Sequence, residues 1–273
     1  MFWTRLASGI VLVVIAVVTI IAGGNIWFAL VSALALIGLY ELYKAMNIEK
    51  TLLGYAGYAM TVLYCGMLHQ RVSSATGMAV VLGLLVMCSI YVFTFPKFKA
   101  NQAAFAVFGF TYVPILMLHL YQIRELSDGL FIIPLVFLSA WGNDTCAYCV
   151  GMLIGKHKMA PKLSPKKSIE GLFGGIIGAA LLGILYGVLC GRHLPTLDNA
   201  ILACGIICGL GAVIAVVGDL TASAFKRDTG IKDYGKLIPG HGGVMDRFDS
   251  ILFTAPVVYF LAVYFGAGVM GVF

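Results

Sequence analysis

The stretch IPGHGGVMDRFDS, residues 238–250, places three glycines, a histidine, two aspartates and an arginine directly ahead of the last apolar segment. Gly240, Gly242 and Gly243 free the backbone to approach a ligand closely and to turn its amides inward. Asp246 and Asp249, with Asp219 upstream, are hard oxygen donors of the kind magnesium takes, one or two at a time, together with phosphate oxygens. Nothing in the stretch suits zinc. His241 sits between Pro239–Gly240 and Gly242–Gly243, where packing is a poor explanation for it, although a single histidine does not disclose its own role.

Three further groups of residues point the same way. In SAWGNDTCAYCVG, residues 139–151, Asp144 stands inside an apolar segment, where a carboxylate costs about 2.5–3.5 kcal/mol and therefore wants a wet cavity or a partner. Asp144 and Tyr148 share one helix face, as do Thr145 and Cys149. Residues 155–175, GKHKMAPKLSPKKSIEGLFGG, carry Lys156, Lys158, Lys162, Lys166 and Lys167, with Pro161 and Pro165 stiffening the loop and Ser168, Glu170 and Gly171 opening the next segment. A solvated lysine linker is the plain alternative, but prolines at this spacing enforce shape. Finally, Asp219 and Ser223 lie one helical turn apart, followed by Lys226, Arg227, Lys232 and Lys236 interleaved with Asp228 and Asp233. Carboxylates, glycines and lysines gathered in this way fit a magnesium-nucleotide or magnesium-diphosphate site.

The elements that must position these groups are membrane spans. Of 273 residues 61% are hydrophobic and only 11% charged, the mean hydropathy is +0.99, and the apolar residues come in long blocks. A block needs roughly 20 residues to cross the hydrocarbon as a helix. Nine blocks qualify, near 6–23, 26–44, 51–68, 77–95, 103–121, 130–154, 171–190, 199–222 and 250–270, which predicts an all-α, polytopic helix bundle. The first block is read as a retained signal anchor, because only Gly23, Gly24 and Asn25 separate it from the second. The longest polar stretch between spans, Ser223 to Asp249, is about 27 residues, so a separate soluble domain is not expected and the chain is read as one membrane domain, with amino-terminal spans in 1–128 and the chemistry in 129–273.

Charge sets the orientation. With the amino terminus cytoplasmic, 15 of the 18 lysines and arginines fall in cytoplasmic segments and only Arg71, Arg124 and Arg192 fall outside. Ten of those 15 lie in the loops 155–170 and 223–249, which would also draw anionic headgroups and fix the topology. Cys146 and Cys149 form a C-x-x-C within a span, with no second pair at zinc spacing, and read as packing residues, as do Cys204 and Cys208.

Taken together, Ser223, Phe225, Lys226, Arg227, Lys232, Asp233, Gly235, Ile238, Pro239, His241, Gly242, Gly243, Asp246, Arg247 and Asp249 resemble the signature of the phosphatidate cytidylyltransferases, or CDP-diacylglycerol synthases. Upstream, Trp141, Asp144, Thr145, Ala147, Tyr148, Gly151, Gly155, Lys156, Pro161, Ser164, Pro165, Lys166, Lys167, Glu170 and Gly171 are similar to the same family. The similarity is strongest from about 140 to 255, and the first five spans match in general character alone. Met152 stands where many relatives have a basic residue, removing one phosphate contact; Ser168 stands where threonine is common and keeps the hydroxyl.

The resemblance implies transfer of a cytidylyl group from CTP to phosphatidic acid with magnesium required, in a bacterial inner membrane with the site facing the cytoplasm. It implies Asp219 and Asp246 as metal ligands, with Asp144 in the same polar site; if two metals act, Asp144 or Asp249 is the expected extra ligand. Lys167, Lys226, Lys232, Arg227 and Arg247 would hold phosphates, and Lys166, Ser168, Ser223, His241, Gly242 and Gly243 would complete the substrate contacts. The partners are then the two substrates and the bilayer, not nucleic acid. A CTP-dependent polyprenol or diacylglycerol kinase would use similar groups, an ion-coupled transporter would also carry aspartates within spans, and a scaffold binding anionic lipid would need none of the carboxylates. Gly174, Gly175 and Gly178 permit close helix contact within or between subunits, which admits a homodimer.

Overall fold

The computed structural model describes residues 2–240 and 242–266. Among these, nine helical stretches follow the nine apolar blocks: α1 (Phe2–Ala22), α2 (Gly24–Ala45), α3 (Leu52–His69), α4 (Ala75–Phe93), α5 (Ala100–Glu125), α6 (Gly129–Ile154), α7 (Ile169–His193), α8 (Ala200–Asp228) and α9 (Met245–Phe265). Among the described residues seven of them, α2 and α4 to α9, are long and apolar enough to cross a membrane. The chain is an all-α, polytopic integral membrane protein.

Three departures from the expected spans matter for the site. Helix α8 runs on to Asp228, so Ser223, Lys226 and Arg227 are helical rather than in a loop. Helix α9 begins at Met245, five residues earlier than expected, so Asp246 lies in its first turn, where a carboxylate is favoured by the helix dipole. Between α6 and α7 the lysine-rich segment is a short antiparallel hairpin, β1 (Lys158–Ala160) and β2 (Ser164–Ser168), with Lys158 opposite Ser168 and Ala160 opposite Ser164.

Two spans are interrupted by single π-helical turns, Thr111–Ile115 around Pro114 in α5 and Leu138–Gly142 in α6. At each, a hydroxyl bonds back to a carbonyl of the preceding turn: Thr111 Oγ1 donates to Val107 and Phe108, and Ser139 Oγ donates to Leu135 at 2.6 Å. Such turns are frequent at functional sites, and the second one immediately precedes Asn143 and Asp144.

The described chain divides into two compact units, Met1–Leu118 with Thr229–Arg247, and His119–Asp228 with Phe248–Phe273. The segment 229–247 therefore groups with the amino-terminal helices, although the expected boundary at 128/129 assigned it to the carboxy-terminal half. In the first unit the buried Tyr43 ring of α2 lies against Gly57 of α3 and Gly109 of α5, and its hydroxyl donates to Ala106 O at 2.6 Å. Neither glycine position has room for a Cβ beside that ring.

In the second unit glycines set the spacing of the helices. Gly174, Gly175 and Gly178 of α7 face Val150, Asn143, Ala147 and Cys146 of α6. Gly183 and Gly187 of α7 face Cys204, Cys208 and the Ala200–Ile201 backbone of α8. With no hydrophobic drive between helices in lipid, this close backbone approach supplies the dispersion contacts that hold them. The three glycines that admitted a subunit interface are thus used inside the chain.

Candidate active site

The second unit collects an acid–base cluster from four segments. Asp144 follows the π turn of α6, Lys167 ends the hairpin, Asp219 and Lys226 sit on α8, and Asp249 lies on α9. The Lys167 ammonium is ion-paired with the Asp219 carboxylate, each side chain about a quarter exposed (26% and 27%). Asp144 lies in the fields of Lys167 and Asp219, and Asp249 in those of Asp219, Lys226 and Asp144. Three carboxylates against two ammonium groups leave an excess of negative charge, which favours a further cation.

Why these residues fall there follows from helix length. Helix α8 has 29 residues; its apolar run from Ala200 to Gly218 rises about 28 Å, close to the roughly 30 Å of hydrocarbon. Asp219 therefore falls at the edge of the apolar zone and the turns beyond it extend outside. Gly218 brings α8 onto α9, since a Cβ there would meet the Asp249 carbonyl at 2.7 Å and Phe253 at 3.2 Å. Asn143, 1% exposed, reaches Asp144 Oδ1 through Nδ2 at 3.5 Å, and its own buried Oδ1 has no hydrogen-bond partner among the described residues.

The hairpin is anchored at its base. Glu170 accepts the backbone N–H groups of Lys156 and His157 at 3.1 and 3.2 Å and contacts His157 Nδ1 at 2.6 Å. Ser168 is the N-cap of α7, accepting the Gly171 N–H at 3.1 Å as the Ser-x-Glu-Gly spacing led one to expect. Strand alternation turns successive residues to opposite faces, which places Lys167 in the ion pair and leaves Lys166 exposed.

Asp246 belongs to the other unit. It is 7% exposed and its Oδ2 accepts the N–H groups of Tyr234 at 2.9 Å and Gly243 at 3.0 Å. Ile238 and Gly242 exchange two backbone bonds, 2.8 and 3.1 Å, closing a tight turn in which Gly242 adopts φ +90°. Ser8 of α1 donates to the Pro239 carbonyl at 3.1 Å. Lys232 on this loop and Arg247 in the first turn of α9 are exposed, whereas His241 lies outside the described residues.

One residue was missed from sequence. Glu41 of α2, 4% exposed, accepts the Val244 N–H through Oε1 at 3.1 Å and the Met245 N–H through Oε2 at 2.9 Å. The signal existed: a lone glutamate in an otherwise apolar span asks for an explanation as Asp144 does. With Glu41 in place, the N–H groups of Gly242, Gly243, Val244 and Met245 are all engaged inside the unit. The expectation that Gly242 and Gly243 aim their amides at a ligand therefore gives way: their freedom shapes the turn, and the anion-binding N-terminus of α9 is already filled by a carboxylate.

Among the described residues no three acidic, histidine or cysteine side chains converge as a ready-made metal site. Magnesium does not need one, because one or two carboxylates with substrate phosphates suffice. The oxygen-only set of Asp144, Asp219 and Asp249 fits it.

The profile described as "Cytidylyltransferase family" matches residues 3–265. A protein of Staphylococcus epidermidis named phosphatidate cytidylyltransferase is 35% identical over 263 residues, covering 95% of this chain and 98% of that one. Proteins of the same name from Staphylococcus saprophyticus and Staphylococcus aureus are 33% and 32% identical, each match again covering 95% of this chain and 98% of the relative. Spans, hairpin and polar cluster thus lie within one continuous match, and the chain belongs to the cytidylyltransferase family.

Proposed function

We propose that this chain transfers the cytidylyl group of CTP to phosphatidic acid, giving CDP-diacylglycerol and pyrophosphate, at the inner face of a bacterial cytoplasmic membrane. The observation that carries the reading is the Lys167–Asp219 pair set among Asp144, Asp249 and Lys226 at the end of an apolar helix. Family membership and the names of the relatives support it.

The chemistry is a meeting of two anions. An oxygen of the lipid phosphomonoester attacks the α-phosphorus of CTP, the bond from that phosphorus to the β-phosphate oxygen breaks, and pyrophosphate leaves. The nucleophile is already ionised, so a general base adds little and rate comes from positioning and charge neutralisation. Bound magnesium would supply charge compensation on the reacting phosphates. Asp219 with Asp144 or Asp249 would hold it; the family resemblance adds Asp246 as a ligand.

Lys167 and Lys226 would neutralise phosphate oxygens, and the exposed cations Arg227, Lys166, Lys232 and Arg247 would serve the nucleotide's outer phosphates. Ser223 stands one turn beyond Asp219 on the same face of α8. The lipid reaches such a site with its tails still in the bilayer. Lifting it out would expose acyl methylenes at about 0.8 kcal/mol each. The distribution of lysine and arginine supports a cytoplasmic amino terminus.

Membranes containing the chain, supplied with phosphatidic acid, magnesium and CTP labelled at either the α- or the γ-phosphate, test this directly. Label from the α-position is expected in the lipid. Label from the γ-position alone would identify a CTP-dependent lipid kinase instead, and no label in lipid would exclude both.

A further inference from the structure

Glu41 is an acidic residue in a span whose other residues from Ile26 to Tyr43 carry no charge, and it is buried rather than turned to solvent. Its carboxylate forks onto two consecutive backbone N–H groups, Val244 and Met245, more than 200 positions away in sequence. Those two are among the donors at the start of α9 that a helix leaves without an intrahelical partner, and both residues are buried.

The loop closes over the same carboxylate from two sides. A Cβ added at Gly235 would come within 2.7 Å of Glu41 Cδ, and one at Gly243 within 2.6 Å. Asp246 ties Tyr234 and Gly243 from within the loop itself. Two carboxylates therefore fix Tyr234 and 243–245, one local and one delivered by the second helix, and both glycines are required by the approach of Glu41.

We infer that Glu41 is a positioning residue: it occupies the anion site at the start of α9 and thereby holds the described residues 234–240 and 242–246 in the conformation in which Lys236 and the flanking Lys232 and Arg247 serve the nucleotide. The inference rests on the reading of the chain as a cytidylyltransferase. It assigns to the amino-terminal spans a part in the binding of CTP. Glu41 touches no substrate; it acts through the backbone of Val244 and Met245.

Charge and shape both matter to this role. Glutamine presents one oxygen and one NH2, so one of the two N–H groups would face a donor. Aspartate is one methylene short.

The test uses the full chain in nanodiscs, as wild type, Glu41→Gln and Gly235→Ala, the last displacing the carboxylate while leaving it charged. Amide hydrogen exchange over 234–246 is expected to quicken in both variants, with exchange over α6–α8 unchanged. The KM for CTP is expected to rise about tenfold to a hundredfold, the range for a lost charge-assisted bond, while the KM for phosphatidic acid stays within about twofold.

Unchanged exchange in both variants, or both KM values moving together, would overturn the inference. If Glu41→Gln does not fold, Gly235→Ala decides by the same two readouts. Exchange is read on the protein alone, so a wild-type chain that transfers nothing would remove the proposed activity while the exchange result still supports or overturns the hold of Glu41 on the loop.

Discussion

Lys167, the last residue but one of β2, is ion-paired with Asp219 of α8. The pair joins the base of the hairpin to the end of the apolar run of α8, and it puts a cation and a carboxylate side by side. Both side chains are partly exposed, so the pair contributes at most about 1 kcal/mol to stability. Lys167→Met is therefore expected to leave the melting temperature in detergent within a few degrees of wild type while lowering kcat/KM about a hundredfold or more, the loss typical for removing a group that stabilises developing charge. Thermal unfolding and initial rates on the same preparation check this, and a loss of activity matched by a loss of folded protein would count against a role in phosphate binding.

Asp144, Asp219 and Asp249 share one electrostatic neighbourhood. If their excess charge draws magnesium, removing one carboxylate weakens the cation before it weakens CTP. Asp219→Asn and Asp249→Asn are each expected to raise the magnesium concentration for half-maximal rate by about tenfold or more. The double variant should fall short of the product of the two, because groups that share a partner are not additive. Magnesium activation curves at saturating CTP measure this, and curves that superimpose on wild type would remove these residues from the metal site.

Ser168 caps α7 through the Gly171 N–H, and its hydroxyl is crowded by Gly155, where a Cβ would approach Oγ to 2.6 Å. Ser168→Ala is expected to lose about 0.5–2 kcal/mol of stability, and Ser168→Thr, which keeps the capping oxygen, to lose less. Chemical denaturation in detergent compares the two. Equal losses would show that packing against Gly155, not the cap, is what Ser168 supplies.

Gly183 of α7 faces Cys208 of α8, and a Cβ at that position would lie 2.7 Å from the cysteine Cβ. Gly183→Val is expected to destabilise the chain by about 1–3 kcal/mol or more, as overpacking does. Gly183→Val combined with Cys208→Gly, which removes both the Cβ and the sulfur, should recover part of the loss, the remainder being the contact with the Cys204 carbonyl. Thermal melts of the pair and the singles give the coupling, and its absence would mean that the helices separate freely.

What the sequence discloses follows the physics of each signal. The apolar blocks are set by the thickness of hydrocarbon, and the helices reproduce them within a few residues; Asp144, Lys167 and Asp219 stand out because charge beside an apolar run is costly. Hydropathy puts the start of α9 at residue 250, where polarity ends, whereas the helix begins where Glu41 satisfies the Val244 and Met245 N–H groups, contacts that span 203 and 204 positions of sequence. The π turn ahead of Asp144, where Ser139 bonds to the Leu135 carbonyl, leaves no trace in hydropathy. Glycine signals backbone freedom but not where the amide ends up: the N–H groups of Gly242 and Gly243 are taken by Ile238 and Asp246, close neighbours in the same loop.

The two carboxylate roles available to Asp246 can be separated by substitution. Asparagine keeps the shape and one acceptor oxygen, and that oxygen can receive both the Tyr234 and the Gly243 N–H, as Oδ2 does. Alanine keeps neither. Asp246→Asn is thus expected to preserve the loop, with tryptic cleavage after the exposed Lys232 and Lys236 at the wild-type rate, while turnover falls by about a hundredfold or more because the charge is gone. Asp246→Ala should speed that cleavage and lose turnover as well, since two buried N–H groups are left without their acceptor. Limited proteolysis beside the transfer assay reads both effects. Near-normal turnover in Asp246→Asn would reduce the residue to a backbone anchor and take it out of the chemistry, whereas faster cleavage in that variant would show that the loop needs the charge itself.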